Sequence, residues 1–562
     1  MAKKVAVIGA GASGLTAIKC CLDEGLQPTC FERSEDIGGL WRFQEHDIGG
    51  QASIYKSLTI NTSKEMMSYS DFLIPEEYPN YMHHSKVMEY FRMYANHFDL
   101  LRHICFKACV CSIRKRPDFL ITGQWDVVTE QYGKQESAIF DAILVCTGHH
   151  IDPYFPLDLF PGVKKFKGKI MHSREYKHSE NFRDQRILVI GLGNSGADIA
   201  VDLSHVTKQI FLSTRTGTWV VNRVSDDGYP LDVVHFTRFK NLLRHMLPRA
   251  LVNLWGEKKL NMRFNHENYG LKPQHRFLSR YPIAADDLPN AIIAGRVLMK
   301  PNVKEFTERG VIFEDGSREE NIDVAIFATG YNYAFPFIEE GVIKTRDNQI
   351  PLYKFVFSPH LEKPTLAIIG LLQPLGAIMP ISELQARWAT RIFKAAQEKG
   401  VVEQFGNGLR MESHGERRIK GLLKLPSEDE MMADITEKIK YNEKRYVPSQ
   451  HISLQVQYVD HMDELASLSG VKPSLLSLFL MDPKLAWEVF FGPCSPAQFR
   501  LTGPGKWEGA RNAILTQRER IVKATKTRGL QTCVGTSLPS APCFLIKVLG
   551  CFALFAIMVA YL

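Results

Sequence analysis

Two short glycine loops carry the clearest chemistry in this chain of 562 residues: VIGAGASG at 7–14 and VIGLGNSG at 189–196. Gly9, Gly11 and Gly14 stand in the spacing GxGxxG, and Gly191, Gly193 and Gly196 repeat it. Between a strand and a helix, such a loop suits a dinucleotide. The first glycine makes a tight turn, the second admits backbone close to a pyrophosphate, and the third lets helix and strand pack. The helix start then offers free N–H groups to the diphosphate.

The loops differ where a ribose would sit. Beyond the first stands Glu32, whose carboxylate accepts a hydrogen bond from a 2′-hydroxyl and repels a 2′-phosphate. The matching place beyond the second loop holds Thr214 and Arg215, a hydroxyl and a guanidinium suited to that phosphate. One site without a 2′-phosphate and one for NADP together suggest a hydride passed from a nicotinamide to a flavin, so FAD is expected in the first and NADPH in the second.

Elements must position these groups. KKVAVIGAGASGLTAIKCCLDEGLQPTCFER reads as a strand over 5–8, a helix ending near Gly25 and a strand reaching Glu32. Residues 186–215 repeat that order. DIGGLWRF at 36–43 brings Gly39 near the cofactor with Trp41 able to cover it. DAILVCTGHH at 141–150 and NIDVAIFATGY at 321–331 are apolar strands ending in Thr-Gly, expected where the chain crosses between the nucleotide regions. Ser382 and Gln385 read as a capping box opening a helix that buries Leu384, Trp388 and Ile392.

Composition supports packed domains: 45% apolar, 23% charged, and long enough for two or three cores. The net charge of +8 is dispersed, which speaks against nucleic acid. The eleven cysteines include a CxC at Cys109 and Cys111 but no CxxC, and read as reduced packing residues without metal spacing. MAKKVAVIG holds too short an apolar run for a signal peptide, so the globular part is expected in the cytosol. Residues 542–562 are apolar apart from Lys547 and follow a cationic flank from Arg518 to Arg528. From Val548 a helix would reach roughly 22 Å, short of a hydrocarbon core; with Cys543–Ile546 included the length suffices, whether it spans the bilayer or lies in its interface.

FKGKIMHSREY places Phe166, Gly168, His172 and Tyr176 in the pattern FxGxxxHxxxY/F. With the two glycine loops, EDIGGLW, NTSKEMM and FATGY, the chain resembles a mammalian-type flavin-containing monooxygenase from Lys4 to its apolar tail. The resemblance implies an α/β fold with two Rossmann-like domains, for FAD and NADPH, a helical insertion and a C-terminal membrane-anchoring helix. It divides the chain into FAD-binding parts over 1–155 and 331–445, an NADPH-binding domain over 156–330 with its insertion at about 217–295, a membrane-associated region over 446–540 and an anchor over 541–562. The insertion is expected to help form the substrate tunnel and the membrane-facing surface.

The resemblance also implies that Gly9, Ala10, Gly11, Ala12, Ser13, Gly14, Glu32, Gly39, Leu40, Trp41, Asn61 and Thr62 contact FAD. Ile60, Asn61, Gly191, Gly193, Ser195, Gly196, Ala197 and Asp198 would contact NADP, with Arg215 at its phosphate. Asn61 is the catalytic candidate, beside the reactive flavin carbon, and His172 is given a structural role. NTS at 61–63 also reads as a glycosylation sequon, which a cytosolic domain would not use. The implied activity is NADPH- and dioxygen-dependent oxygenation of soft amine nitrogens and thioether sulfurs through a C4a-hydroperoxyflavin, at the endoplasmic reticulum membrane with the catalytic domains on its cytosolic side.

Three rivals stand beside it. Baeyer–Villiger oxygenation would favour Trp then Pro or Asp after the signature histidine, where this chain has Tyr176 and Lys177. A disulfide reductase lacks its CxxC. A leaky oxidase or an impaired paralogue would follow if the segment 394–419, which looks extra and breaks a helix, disturbed the flavin domain; being polar with four glycines, it is expected to be a surface excursion.

Overall fold

The computed structural model describes residues 2–344, 350–405, 423–447 and 454–528. Two five-stranded parallel sheets organise it. The first runs in the order Leu366–Ile368, Ala142–Val145, Lys4–Ile8, Gln27–Glu32, Ile104–Phe106. The second runs Val297–Lys300, Gln209–Ser213, Arg186–Ile190, Val324–Phe327, Lys169–His172. The central strands are continuous apolar runs because parallel sheets are covered on both faces. Val5, Ala6, Val7 and Ile187, Leu188, Val189 are completely buried.

The first sheet takes its edge strand from residues 366–368, far along the chain, so the first nucleotide unit is built from segments on either side of the second. The Thr-Gly stretches do end strands: Ala142–Val145 lies in the first sheet and Val324–Phe327 in the second. Gly148 and Gly330 follow with left-handed φ of 75° and 91°, turns that glycine makes without strain.

The segment 217–295 holds helices Leu231–His235, Arg238–Met246, Arg249–Arg263 and Leu288–Ile293. A short parallel pair, Val220–Val221 with Ile283–Ala284, brings its two ends together. Helices Tyr458–Leu468, Leu475–Met481, Pro483–Phe491 and Ala510–Lys523 follow in the C-terminal region.

Two expectations need correcting. The helix carrying Leu384, Trp388 and Ile392 opens at Met379, so Ser382 is not its cap. Instead Ser382 Oγ accepts from Ser13 Oγ at 3.2 Å and Gln385 Oε1 accepts from Gly370 N at 2.9 Å, contacts that tie this helix to the first glycine loop and to the turn after strand Leu366–Ile368. The same helix runs on to Phe405, so the extra segment begins as a continuation of that helix rather than as a break in it. Its remainder, 406–419, lies outside the described residues, as does the expected anchor at 541–562. Among the described residues no helix is long and apolar enough to cross a membrane.

Candidate nucleotide and flavin sites

The first loop folds as its spacing requires. Gly9 has φ 99°, and a methyl there would lie 2.9 Å from the Cys146 carbonyl oxygen. One on Gly14 would run into the Gly9 carbonyl. Helix Ala12–Asp23 begins at Gly11 with no side chain capping it, which leaves its first N–H groups for an anion. Gly39 comes against Gly11, where a methyl on Gly11 would be 3.5 Å from the Gly39 Cα, and Leu40 and Trp41 follow in the short helix Gly39–Trp41. Glu32 is buried beneath the loop; its carboxylate accepts Ala10 N and Ser34 N, each at 2.8 Å. Glu32 thus shapes the loop through its own carboxylate.

The second loop repeats the design with one difference. Gly191 has φ 110° and a methyl on Gly196 would clash with the Gly191 carbonyl, but a methyl on Gly193 would meet nothing within 4 Å. Helix Asn194–Leu203 is again uncapped by a side chain. Ala197 is buried, whereas Gly193 and Ser195 are exposed. Arg215 is exposed beyond strand Gln209–Ser213, and Thr214 Oγ1 accepts Gly217 N at 3.1 Å. Arg280, not singled out from the sequence, stands near Arg215: packing around its guanidinium, then the Arg215 charge, hold its pKa below the ordinary arginine value. Nη1 of Arg280 donates to Thr216 Oγ1 at 3.0 Å. Two guanidiniums and two hydroxyls suit a phosphate. Both loops therefore fit dinucleotides, and the second fits the one with a 2′-phosphate.

The chain between Tyr55 and Tyr69 links the two sites. Tyr55 Oη donates to Asp198 Oδ2 on the second helix at 2.9 Å, and Tyr69 Oη donates to the Ala12 carbonyl at the start of the first, at 2.7 Å. Asn61 lies between them and is exposed; Thr62 is half-buried, with Oγ1 3.3 Å from Met67 Sδ. Ile60, expected at NADP, is buried, its N–H on the Met82 carbonyl and its own carbonyl on Arg223 Nε, whereas Asn61, expected at both cofactors, is exposed.

Tyr55, Arg223, Asp232 and Asp286 were missed by motif reading. Arg223 Nη1 pairs with Asp286 Oδ2 at 2.8 Å. Burial raises the Asp198 pKa against the opposing pull of Arg223 and the Tyr55 hydroxyl. These residues lie outside every glycine motif; a count of polar residues inside the insertion could have flagged Arg223, Asp232 and Asp286, and no sequence signal marks Tyr55.

His172 caps the turn Ser173–Glu175: Nδ1 accepts Arg174 N at 3.3 Å, and Nε2 lies 3.1 Å from the Gly330 carbonyl. Burial, first, lowers its pKa to about 4, so the ring is neutral and donates to that carbonyl. It joins the signature strand to the Thr-Gly turn, a structural role.

Cys146 lies under the first loop, and burial pushes its thiol, like those of Cys20, Cys21 and Cys30, well up. These cysteines are free and buried, and a thiol held protonated is a poor redox nucleophile. Among the described residues no His, Cys, Asp or Glu group could hold a metal.

Paired parallel sheets, each with an uncapped glycine-loop helix and opposite ribose preferences, define a two-dinucleotide flavoprotein oxidoreductase. A family model described as flavin-binding monooxygenase-like matches residues 2–407 and 400–562, and the chain belongs to that family. The join falls within the extra segment. Flavin-containing monooxygenase 5 of Rattus norvegicus is 57% identical over 97% of this chain and 98% of its own length. Dimethylaniline monooxygenase (N-oxide-forming) 2 of Mus musculus is 54% identical over 98% of each. The S-allyl-L-cysteine S-oxygenase of Allium sativum shares the fold at TM-score 0.62 and 23% identity, covering 93% of this chain and 99% of that one. Cyclohexanone monooxygenase from Rhodococcus, solved with NADP+, shares it at TM-score 0.56 and 17% identity over 84% and 98%. The chain is an FAD-dependent, NADPH-using monooxygenase.

Proposed function

We propose that this enzyme oxygenates soft nucleophilic nitrogen and sulfur atoms of small molecules, xenobiotics among them, to N-oxides and S-oxides. The observation that carries the reading is the placement of Asn61 on the strap between Tyr55 and Tyr69, which joins the helix starts of the two nucleotide sites. FAD, reduced by NADPH, supplies the activation of dioxygen. The chain binds both diphosphates at helix starts, discriminates them through Glu32 and through Arg215 with Arg280, and holds an amide beside the flavin ring. Oxygen transfer from a cofactor asks little of acids or bases; exclusion of water is what keeps oxygen from leaving as peroxide. The relative named for N-oxide formation, 54% identical, supports an amine nitrogen as the oxygenated atom.

The proposed setting is the cytosolic face of the endoplasmic reticulum membrane. Besides the apolar tail, Leu476, Phe479, Leu480 and Met481 are more than 60% exposed on helix Leu475–Met481, and Leu254 and Trp255 are exposed on the insertion helix Arg249–Arg263. Such residues suit a lipid interface.

The test is to mix the FAD-loaded enzyme with NADPH and dioxygen, with and without a tertiary amine or a thioether. Oxide formed in proportion to NADPH consumed is expected. Peroxide alone would make the protein a leaky oxidase, and lactone from a cyclic ketone in preference to N- or S-oxide would make it a Baeyer–Villiger enzyme.

A further inference from the structure

The insertion holds the segment that carries Asn61 from both sides. Ahead of Asn61, Arg223 Nε donates to the Ile60 carbonyl at 3.3 Å, and Arg223 is itself fixed by Asp286 through its guanidinium and its N–H. Behind Asn61, the Asp232 carboxylate accepts the Ser63 N–H at 2.6 Å, and its other oxygen takes the Val233 N–H at 2.9 Å. Ser63 is wholly buried and opens the short helix Lys64–Met67, whose Lys64 N–H bonds the Asn80 carbonyl at 2.9 Å.

A buried carboxylate far along the chain is a costly acceptor for the Ser63 N–H, which the Lys64–Met67 turn could leave to a hydroxyl or water. Asp232 gains a second consequence from its position: it is the contact through which the insertion reaches the residue after Thr62. We propose that Asp232 is a positioning residue for Asn61, holding the Ser63 backbone so that the Asn61 side chain enters the cleft in one direction. The proposal rests on the reading of Asn61 as the residue beside the flavin. It makes the insertion, and not the flavin-binding segments alone, responsible for coupling NADPH use to oxygenation.

Asp232→Ala removes the acceptor, while Asp232→Asn keeps a carbonyl oxygen in its place. Ser63→Pro deletes the same hydrogen bond from the other end, and the Ser63 φ of −73° accepts proline, so it stands in should Asp232→Ala fail to fold. Amide hydrogen exchange across 60–67 is measured in FAD-free and FAD-loaded protein, together with the share of NADPH consumed that appears as peroxide. In Asp232→Ala or Ser63→Pro, exchange is expected to quicken about tenfold, the factor that a loss of about 1.4 kcal/mol produces. The peroxide share is expected to rise severalfold, with Asp232→Asn close to the parent. Parental exchange and peroxide share in Asp232→Ala or Ser63→Pro would overturn the proposal, as would quickened exchange with unchanged peroxide share. Exchange in FAD-free protein reads the clamp itself, so a parent enzyme that oxygenates nothing would defeat the proposed function while leaving the clamp separately decided.

Discussion

Tyr55 Oη reaches Asp198 Oδ2 at 2.9 Å across 143 residues of sequence, and this bond ties the Asn61 strap to the helix of the NADPH loop. Asp202 strengthens the same seam by accepting Ser57 Oγ at 2.7 Å and Tyr176 Oη at 2.6 Å. Tyr55→Phe should therefore loosen the NADPH side selectively. The KM for NADPH is expected to rise about fivefold, in keeping with about 1 kcal/mol for the net worth of one hydrogen bond, while bound FAD stays stoichiometric. Steady-state kinetics beside the flavin-to-protein absorbance ratio checks it; loss of FAD with unchanged KM would contradict it.

Gly193 and Gly196 separate folding from binding. Gly193→Ala places its methyl in open space, so the melting temperature and FAD content should hold while the KM for NADPH rises about tenfold or more, because the methyl takes the place of the pyrophosphate. Gly196→Ala drives its methyl into the Gly191 carbonyl and should destabilise the second sheet outright. Thermal melts and NADPH titrations distinguish the two.

Glu32 has its consequence at the other cofactor. Glu32→Ala leaves Ala10 N and Ser34 N without acceptors beneath the loop, a loss of about 1–3 kcal/mol that falls on FAD retention. The variant should purify largely colourless and regain flavin only at high added FAD, as read by fluorescence titration.

Arg215 and Arg280 set the choice of nicotinamide. Arg215→Gln should weaken NADPH by about 10- to 100-fold, the range for losing a charged hydrogen bond, with NADH little affected. Arg280→Gln should act in the same direction and less strongly. Comparison of kcat/KM for NADPH and NADH in each variant decides it.

Acid should destabilise the enzyme by forcing protons onto its buried histidines. His84, His172, His235, His266 and His461 are each held at about 4, burial being the largest cause in every case. An unfolded chain takes up these protons near 6.5, so their stabilisation is complete above that pH and is lost as pH falls toward 4. The buried carboxyls of Asp198 and Asp232, raised by burial, work in the opposite sense, and the slope is the net. Melting temperature measured from pH 7 to 4.5 should fall throughout, and His172→Asn should flatten that fall by its share.

Much of this was open to reading along the chain because it is local. A GxGxxG loop needs only neighbouring strand and helix residues, so both loops, the acid after one and the arginine after the other, declare their ligands in stretches of about thirty residues. The helix opening at Met379 shows where local reading fails: Ser382 and Gln385 have the right spacing for a capping box, yet Ser13 and Gly370 claim their side chains. Family resemblance placed Asn61 at the flavin, and nothing in NTS itself distinguishes that role from a surface turn.

By itself, then, the sequence pointed to two dinucleotides and to the loop suited to a 2′-phosphate, since these depend on short-range spacing and on residue type. Only the tertiary structure decided that the Tyr55–Tyr69 strap bridges the two loops, that Arg280 joins Arg215, and that the insertion grips the Asn61 segment through Arg223 and Asp232. Those contacts join residues up to about 170 positions apart. No periodicity or motif records them, because they arise only when the fold brings segments distant in the sequence together.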